Sequence, residues 1–292
     1  MKIDTLVVGA SGLVGRILLN RLGSRAHGTG LTNAVLPLFR LDITDSSAVA
    51  AELERLRPKH VIVSAAFTNV NACETDEELS RRVNVEGPRN VARACTAIGA
   101  SCVFLSTDYV FGGDTGPHPT TETPAPLNVY GRHKLEAEAA VANECERSLI
   151  VRACNIYGWQ SEGMNFVMAC WRLGSEGKAM RVPFDQWGNP THADDLAEAV
   201  VRALDRELTG IVHFAGPDYV DRLVWARRSA AAFGLDASFV EGVATQELNQ
   251  AAPRPLRGGL DASDTERLVD LKFAGLEEGL ARVVRDKAAA GD

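Results

Sequence analysis

The stretch that most limits what this chain can fold into is its beginning. An apolar run, Thr5-Leu6-Val7-Val8, leads into Gly9-Ala10-Ser11-Gly12-Leu13-Val14-Gly15, and Ile17, Leu18, Leu19 and Leu22 then recur with a helical rhythm. That order is strand, glycine turn, helix. In such a unit one glycine makes the tight turn, the next lets the backbone approach a pyrophosphate, and the third brings the helix against the strand. The phosphates rest on the helix N-terminus. Gly9, Ser11, Gly12, Leu13, Val14 and Gly15 are therefore expected to cradle a dinucleotide. Glycines at this spacing also serve plain turns, and it is the position after a first strand that favours the cofactor.

The rest of the chain alternates in kind. A second strand is expected over His27 to Thr32, a helix over Ser46 to Arg57, and a buried strand over His60 to Ala66. A long helical pattern follows from about Asp76 to Ile98, then the strand Cys102 to Leu105, a Pro-rich loop from Gly116 to Pro126, a helix through Cys145 and the strand Leu149 to Val151. Such alternation argues for an α/β fold, a doubly wound parallel sheet of the Rossmann kind. Beyond Arg152 glycines interrupt short pieces, and Trp159, Trp171 and Trp187 occur among them, more in keeping with a small core than with ligand platforms. The helix from Ala193 and the strand Ile211 to Phe214 return to the sheet. We expect residues 1–153 plus about 190–216 to form the dinucleotide domain. Residues about 154–189 plus 217–292 should form a smaller α+β substrate lobe.

Cofactor preference is read at the end of the second strand. The NAD form of this unit carries an acid about 20 residues beyond the loop, for the ribose 2′-hydroxyl. Here no Asp or Glu occurs between Asp4 and Asp42, and Thr32 stands at the strand end instead. NADP(H) is favoured and NAD(H) remains possible; Arg25 and Arg40 are the nearest basic side chains. Asp42 and Ile43 could lie by the adenine, although Asp42 or Asp45 could equally cap the next helix. Ala65 and Ala66 would let a flat cofactor lie close, or simply pack the sheet. Asn84 is either an inert helical residue or, if inward, the holder of a water relaying protons to Lys134.

Chemistry concentrates between Ser106 and Lys134. Tyr130 and Lys134 are four apart and share a helical face. A phenol is a poor acid at neutral pH. A neighbouring ammonium should stabilise the phenolate and lower its pKa, so that the phenol can protonate a carbonyl oxygen as hydride arrives at carbon. Thr107, at a strand end, could hydrogen-bond the same oxygen. The null for the pair is an ordinary helix contact; the glycine loop and Thr107 upstream are what give it weight.

Composition removes other classes. With 292 residues and a net charge of −7, and no strongly basic stretch, neither nucleic acid nor a membrane surface is an expected partner. The six cysteines form no Cys-x-x-Cys and no zinc spacing, which fits buried thiols in a reducing cytoplasm. No apolar run reaches transmembrane length, and the start enters a strand with no room for a signal peptide. His192 and His213 have no partner pattern.

Taken together, Gly9 to Gly15, Ser106-Thr107-Asp108-Tyr109-Val110-Phe111, Pro126-Leu127-Asn128-Val129-Tyr130-Gly131-x-x-Lys134-Leu135 and Asp185-Gln186-x-Gly188-x-Pro190-Thr191 resemble extended short-chain dehydrogenases/reductases. Within them the likeness is to the dTDP-4-dehydrorhamnose reductase group, whose C-terminal signature Arg254-Pro255 with Gly259-Leu260-Asp261 resembles. The resemblance implies Thr107, Tyr130 and Lys134 as the catalytic set, NAD(P)H as hydride donor and a nucleotide-linked 4-keto deoxysugar as substrate. It places Asp108 and Tyr109 in the sugar site, with Asn165 and Arg254 near the nucleotide. Arg254 and Arg257 suit a pyrophosphate or are solvated surface residues. Related dehydratases carry Thr-Asp-Glu, whereas the third residue here is Tyr109, which favours plain carbonyl reduction. Asn155 stands where the group tends to have a sugar-stacking tryptophan, which bears on the sugar's identity. No carboxylate cluster calls for a metal. The same motifs occur in a non-catalytic partner protein, the beta subunit of methionine adenosyltransferase, and in nucleotide-sugar epimerases; both stay open, as does a homodimer.

Overall fold

The computed structural model describes residues 4–31, 38–161 and 165–291. Its centre is a seven-stranded parallel sheet. The strands are β1 (Thr5–Val8), β2 (Ala26–Gly30), β3 (Phe39–Arg40), β4 (His60–Val63), β5 (Ser101–Thr107), β6 (Ser148–Ala153) and β7 (Gly210–Phe214). Their order across the sheet is β7-β6-β5-β4-β1-β2-β3. The order reverses at β1 and β4, and ligands of such sheets bind outside the carboxyl ends at that switch point.

Strand residues alternate between two cores. Leu6, Val8, Val61, Val63, Cys102 and Phe104 face the helices Ser46–Leu56, Gly87–Ile98 and Val129–Glu144. Val7, Ile62, Val103, Leu149 and Val151 face Leu13–Leu22 and Ala193–Asp205. Both faces are covered, so the strands read as unbroken apolar runs rather than alternating ones. β7 does return to the sheet, pairing with β6 from Gly210 to Phe214.

Two expectations need correction. β2 ends at Gly30, short of Thr32, which lies outside the described residues. The helix expected over Asp76 to Ile98 runs unbroken from Glu77 to Ile98, but Arg82–Glu86 within it form a π-helical turn. Pro88 has no N–H to give the Asn84 carbonyl four residues back, so the regular ladder cannot continue there. Asn84 is inward and buried. Its carboxamide accepts from Phe67 N at 2.8 Å and donates to Phe67 O at 3.0 Å, tying down the segment after β4.

Beyond β6, Tyr157, Val167, Met168, Trp225, Leu276, Leu280 and Val283 form a separate core, with Trp159 and Trp171 packed against it. Trp187 instead lies under the Arg257 guanidinium, 4.9 Å from ring centroid to Cζ. His192 accepts from Asp194 N at the start of its helix, and His213 Nδ1 meets the Asp261 carbonyl at 3.3 Å. All six cysteines are buried and free.

The helix Val129–Glu144 is fixed to the sheet by charge. Arg152 on β6 donates to Glu138 through Nε at 3.0 Å and Nη2 at 2.6 Å, and Ser106 on β5 donates to the same carboxylate. Both side chains of the pair are under 5% exposed. Removing one partner of such a pair leaves a buried charge uncompensated, at a cost of about 3–5 kcal/mol. Glu138→Gln should lower the unfolding free energy by that order, read as a lower urea midpoint; a midpoint shift near zero would mean the pair does not hold the helix.

Candidate active site

The site is built at the carboxyl end of β5 and the helix that follows it. At the end of β5, the Thr107 Oγ1 accepts from Tyr109 N at 3.2 Å and donates to Asp108 Oδ1 at 3.2 Å, closing a short turn over Asp108–Val110. Asp108 Oδ2 accepts from Gly259 N at 3.1 Å. The next helix is started by Asn128, whose carboxamide accepts from Gly131 N at 2.8 Å. A Cβ on Gly131 would stand 2.1 Å from the Tyr109 carbonyl oxygen. Only glycine lets this helix approach the turn so closely, and the approach sets Tyr130 edge-on to Tyr109, with ring centroids 6.0 Å apart. The Thr107 hydroxyl lies near enough to the Tyr130 phenol to lower its pKa a little against burial. One turn on, Lys134 is buried, donates to the Leu105 carbonyl at 2.6 Å and lies 3.8 Å from the centroid of the Phe104 ring. Thr107 and Tyr130 thus lie together, while the Lys134 side chain, on the same helix, is turned to the β5 backbone. Gly131, which makes that possible, was not singled out by sequence, although it sits inside the Asn-x-Tyr-Gly run.

Beside them, after β1, is the glycine turn. Gly9 has φ +84°, and a Cβ there would meet Ala65 N at 2.4 Å. A Cβ on Gly15 would meet the Gly9 carbonyl at 2.4 Å, so this residue lets the helix pack on the strand. Gly12 differs: the nearest atom to its would-be Cβ is 3.5 Å away, and the residue faces solvent. The helix that Gly12 begins has no side-chain cap and no acidic residue in its first turn. Open N–H groups without a competing carboxylate suit a pyrophosphate. Ser11 lies beside the end of β2, and Ser64, unmarked by sequence, donates to the Val8 and Gly9 carbonyls and holds the turn. Ala65 backs Gly9, and Ala66 follows it. Val14 is turned into the core, so its backbone is what the turn presents.

The flank is also defined. Asp45, not Asp42, caps the helix Ser46–Leu56. Asp42 Oδ1 accepts from Thr44 N at 2.9 Å and Thr44 Oγ1 at 2.8 Å, and Ile43 is buried against Gly87. Arg40 pairs in register with Gly30, at the carboxyl end of β2. Arg25 precedes β2 and reaches Asp205 at 3.7 Å, at the opposite edge of the sheet. Of the two arginines, only Arg40 stands on the glycine-turn side.

From Tyr109 a cleft of about 660 Å³ extends outward, lined by Asn71, Phe166, Gln186, Arg222 and Arg254 among others. Arg254 donates to Asn71 Oδ1 and the Ala252 carbonyl, each at 2.9 Å. Asn165 does not reach into the cleft with a free group: it caps the helix Phe166–Ser175 and donates to the Gly158 carbonyl at 2.9 Å. Asn155, in a left-handed conformation with φ +47°, accepts from Arg222 Nη2 at 3.0 Å. Arg222 belongs to no motif, and nothing in the sequence marked it. Among the described residues no three His, Cys, Asp or Glu side chains are grouped to hold a metal, and no helix is long and apolar enough to cross a membrane.

The description "RmlD substrate binding domain" matches residues 1–289. The chain belongs to this family. It is 35% identical to a dTDP-4-dehydrorhamnose reductase of Mycolicibacterium smegmatis over 254 residues, covering 86% of this chain and 75% of that protein. Its fold matches the dTDP-4-dehydrorhamnose reductase of Bacillus anthracis str. Ames in complex with NADP, with a TM-score of 0.89, 31% identity, and coverage of 98% of this chain and 100% of that one. The methionine adenosyltransferase 2 subunit beta of Xenopus laevis is 29% identical, over 90% of this chain and 81% of that protein.

In this RmlD-family site, burial governs titration. Desolvation, then the nearby Asp108, pushes the Tyr130 phenol up. Desolvation lowers Lys134 to about 7, with Glu138 opposing it. The expected acidification of the phenol by the lysine is therefore not what the protein groups produce. Four-residue spacing foretold the shared helix but not where the ammonium goes: it is spent on the Leu105 carbonyl, and loss of water dominates the phenol. Tyr130 holds its proton, as a donor at rest must.

Lys134 carries a stability consequence. Between pH 7 and the ordinary lysine range near 10.5, the folded chain holds this amine neutral while the unfolded chain keeps it protonated. Its contribution is fully present above the upper limit and is lost as pH falls through about 7. Lys134→Met should therefore be stabilised over the native protein most at pH 7, with the gap shrinking by pH 9.5. Urea midpoints of both proteins across that range check this, and a gap independent of pH would contradict it.

Proposed function

We propose that this chain reduces the 4-keto group of a dTDP-linked deoxysugar with NADPH, as its reductase relatives are named for doing. The observation that supports the reading is that Thr107 ends β5 and Tyr130 and Lys134 share the helix packed on that turn, with Tyr130 edge-on to Tyr109, which lines a cleft of about 660 Å³. When bound, the nicotinamide supplies hydride to the carbonyl carbon. Gly9, Ser11, Gly12, Leu13 and Gly15 would hold the pyrophosphate, Ala65 and Ala66 would leave room for the flat rings, and Asp42 and Ile43 would lie toward the adenine. Arg40, on the same edge as the glycine turn, favours NADPH over NADH through the 2′-phosphate.

Tyr130 donates its proton to the carbonyl oxygen, and Thr107 hydrogen-bonds the same oxygen. Lys134, near its midpoint at neutral pH, replaces the proton through its ammonium. Asp108 and Tyr109 line the sugar. Asp108 is also buried, and desolvation raises its carboxyl. The third residue of the Thr-Asp-Tyr turn matters for reaction class. Tyr109 is a phenol raised by burial, so no carboxylate base stands there to take a ring proton, and reduction is favoured over dehydration. Residues 154–189 and 217–292 would serve as the substrate lobe, with Arg254 toward the nucleotide.

Tyr130→Phe should lower kcat by about 100- to 10,000-fold while leaving NADPH affinity within a factor of about three. The assay is loss of NADPH absorbance with dTDP-4-dehydrorhamnose, alongside cofactor titration by fluorescence. Full turnover in the variant would reject Tyr130 as the acid. NADPH binding by native protein without turnover on any 4-keto nucleotide sugar would favour a regulatory protein, and interconversion of sugars without net NADPH loss an epimerase.

A further inference from the structure

Three arginines line the cleft beyond Tyr109: Arg181, Arg222 and Arg254. They are not equivalent. Arg181 lies 3.7 Å from the Glu247 carboxylate and 4.0 Å from that of Glu241, so its charge is answered within the protein. Arg222 and Arg254 are held by no direct salt bridge among the described residues; Asp108 and Glu74 respectively act on them from farther off. Arg222 is held by neutral groups: it donates to Asn155 Oδ1 at 3.0 Å and lies beside the Tyr109 phenol. Aromatic rings flank it, its Cζ lying 5.3 Å from the Phe166 centroid and 5.9 Å from that of Trp225. Arg254 is held by Asn71 and the Ala252 carbonyl. The two guanidiniums feel one another and both act on Tyr109. Holding two like charges together in a partly buried cleft is unfavourable unless something negative joins them.

Their place along the cleft says what that is. Tyr109 touches the Tyr130 ring at the reacting end, and Arg181 and Pro183 mark the far end. Arg222 and Arg254 both act on Tyr109, next to the reacting end. We infer that Arg222 is a diphosphate-binding residue, closing on the sugar nucleotide opposite Arg254, and that Asn155 is the positioning residue that aims it. This rests on the nucleotide-sugar reading above. A guanidinium fixed by a carboxamide and two rings presents its remaining N–H groups in a set direction, as bidentate phosphate binding needs. The left-handed backbone at Asn155 turns the carboxamide toward Arg222.

The test is calorimetric binding of dTDP, dTMP and thymidine to the full chain loaded with NADP. Native protein should bind dTDP at least about tenfold more tightly than dTMP. Arg222→Gln should weaken dTDP about 10- to 100-fold and leave thymidine and NADP affinities unchanged. Asn155→Gly, which keeps the left-handed backbone free of strain, should give a smaller loss of dTDP affinity, and Arg222→Lys an intermediate one. Retained NADP binding reports that each variant folds. Native-like dTDP affinity in Arg222→Gln overturns the inference, as does a parallel loss of thymidine, which would make Arg222 a reader of the nucleoside. Arg222-dependent dTDP binding without ketone reduction would sink the reductase reading and spare this one. Reduction with dTDP binding indifferent to Arg222 would do the reverse.

Discussion

Position 131 can carry no side chain. The helix that bears Tyr130 and Lys134 runs into the turn after β5, and the Tyr109 carbonyl occupies the place a Cβ would need. Because the two backbones touch there, the phenol meets the Thr107 hydroxyl and the ammonium reaches the Leu105 carbonyl. The approach is held from behind by Arg152 and Ser106, which grip Glu138 two turns further along. A buried ion pair is weak evidence for stability on its own. Here it has a geometric use, since it fixes the rotation of the helix relative to β5 and β6 and so the direction in which Tyr130 points.

That closeness has an electrostatic price that falls on Lys134. A lysine surrounded by Phe104 and the sheet loses its water, and its pKa drops to about 7. The same burial lifts Tyr130 and Asp108. Three titratable groups within one turn and one strand end are thus biased toward their neutral forms. For a site that must give a proton to an oxygen and then recover it, a protonated phenol beside an amine near its midpoint is a workable pair. Charge placed nearby at reaction, rather than charge already present, would then decide when the proton moves.

Much of this arrangement was legible in the residues. The alternation of strands and helices, the sheet class, the return of the strand near Phe214 and the adjacency of Thr107 and Tyr130 follow from apolar runs, glycines and four-residue spacing. What escaped was long-range or depended on depth. Periodicity found the helix from Glu77 to Ile98 but cannot see that Pro88 leaves the Asn84 carbonyl without its donor, so the π turn inside it escaped. Arg25 and Arg40 look equivalent in sequence, and only strand register puts Arg40 at the carboxyl edge and Arg25 at the other. Asn165 and Asn155 carried binding expectations, yet the first spends its carboxamide on capping and on Gly158, and the second on Arg222. The direction of the pKa shifts was missed because spacing measures neighbours and not solvent.

The cleft itself runs against the chain's overall charge. The protein carries −7, yet its binding groove exposes guanidiniums answered by carboxamides, carbonyls and aromatic rings. Such neutral partners fix an arginine in place without cancelling its field, which a carboxylate would do. The contrast with Arg181, paired to two glutamates at the outer end, shows that acids were available to the fold and were used elsewhere. A local positive field inside an acidic protein draws an anionic ligand to one place and repels it from the rest of the surface. Specificity then depends on how rigidly the cations are held, and the left-handed Asn155 backbone, costly for a residue with a Cβ, is where this chain commits conformational strain to that rigidity.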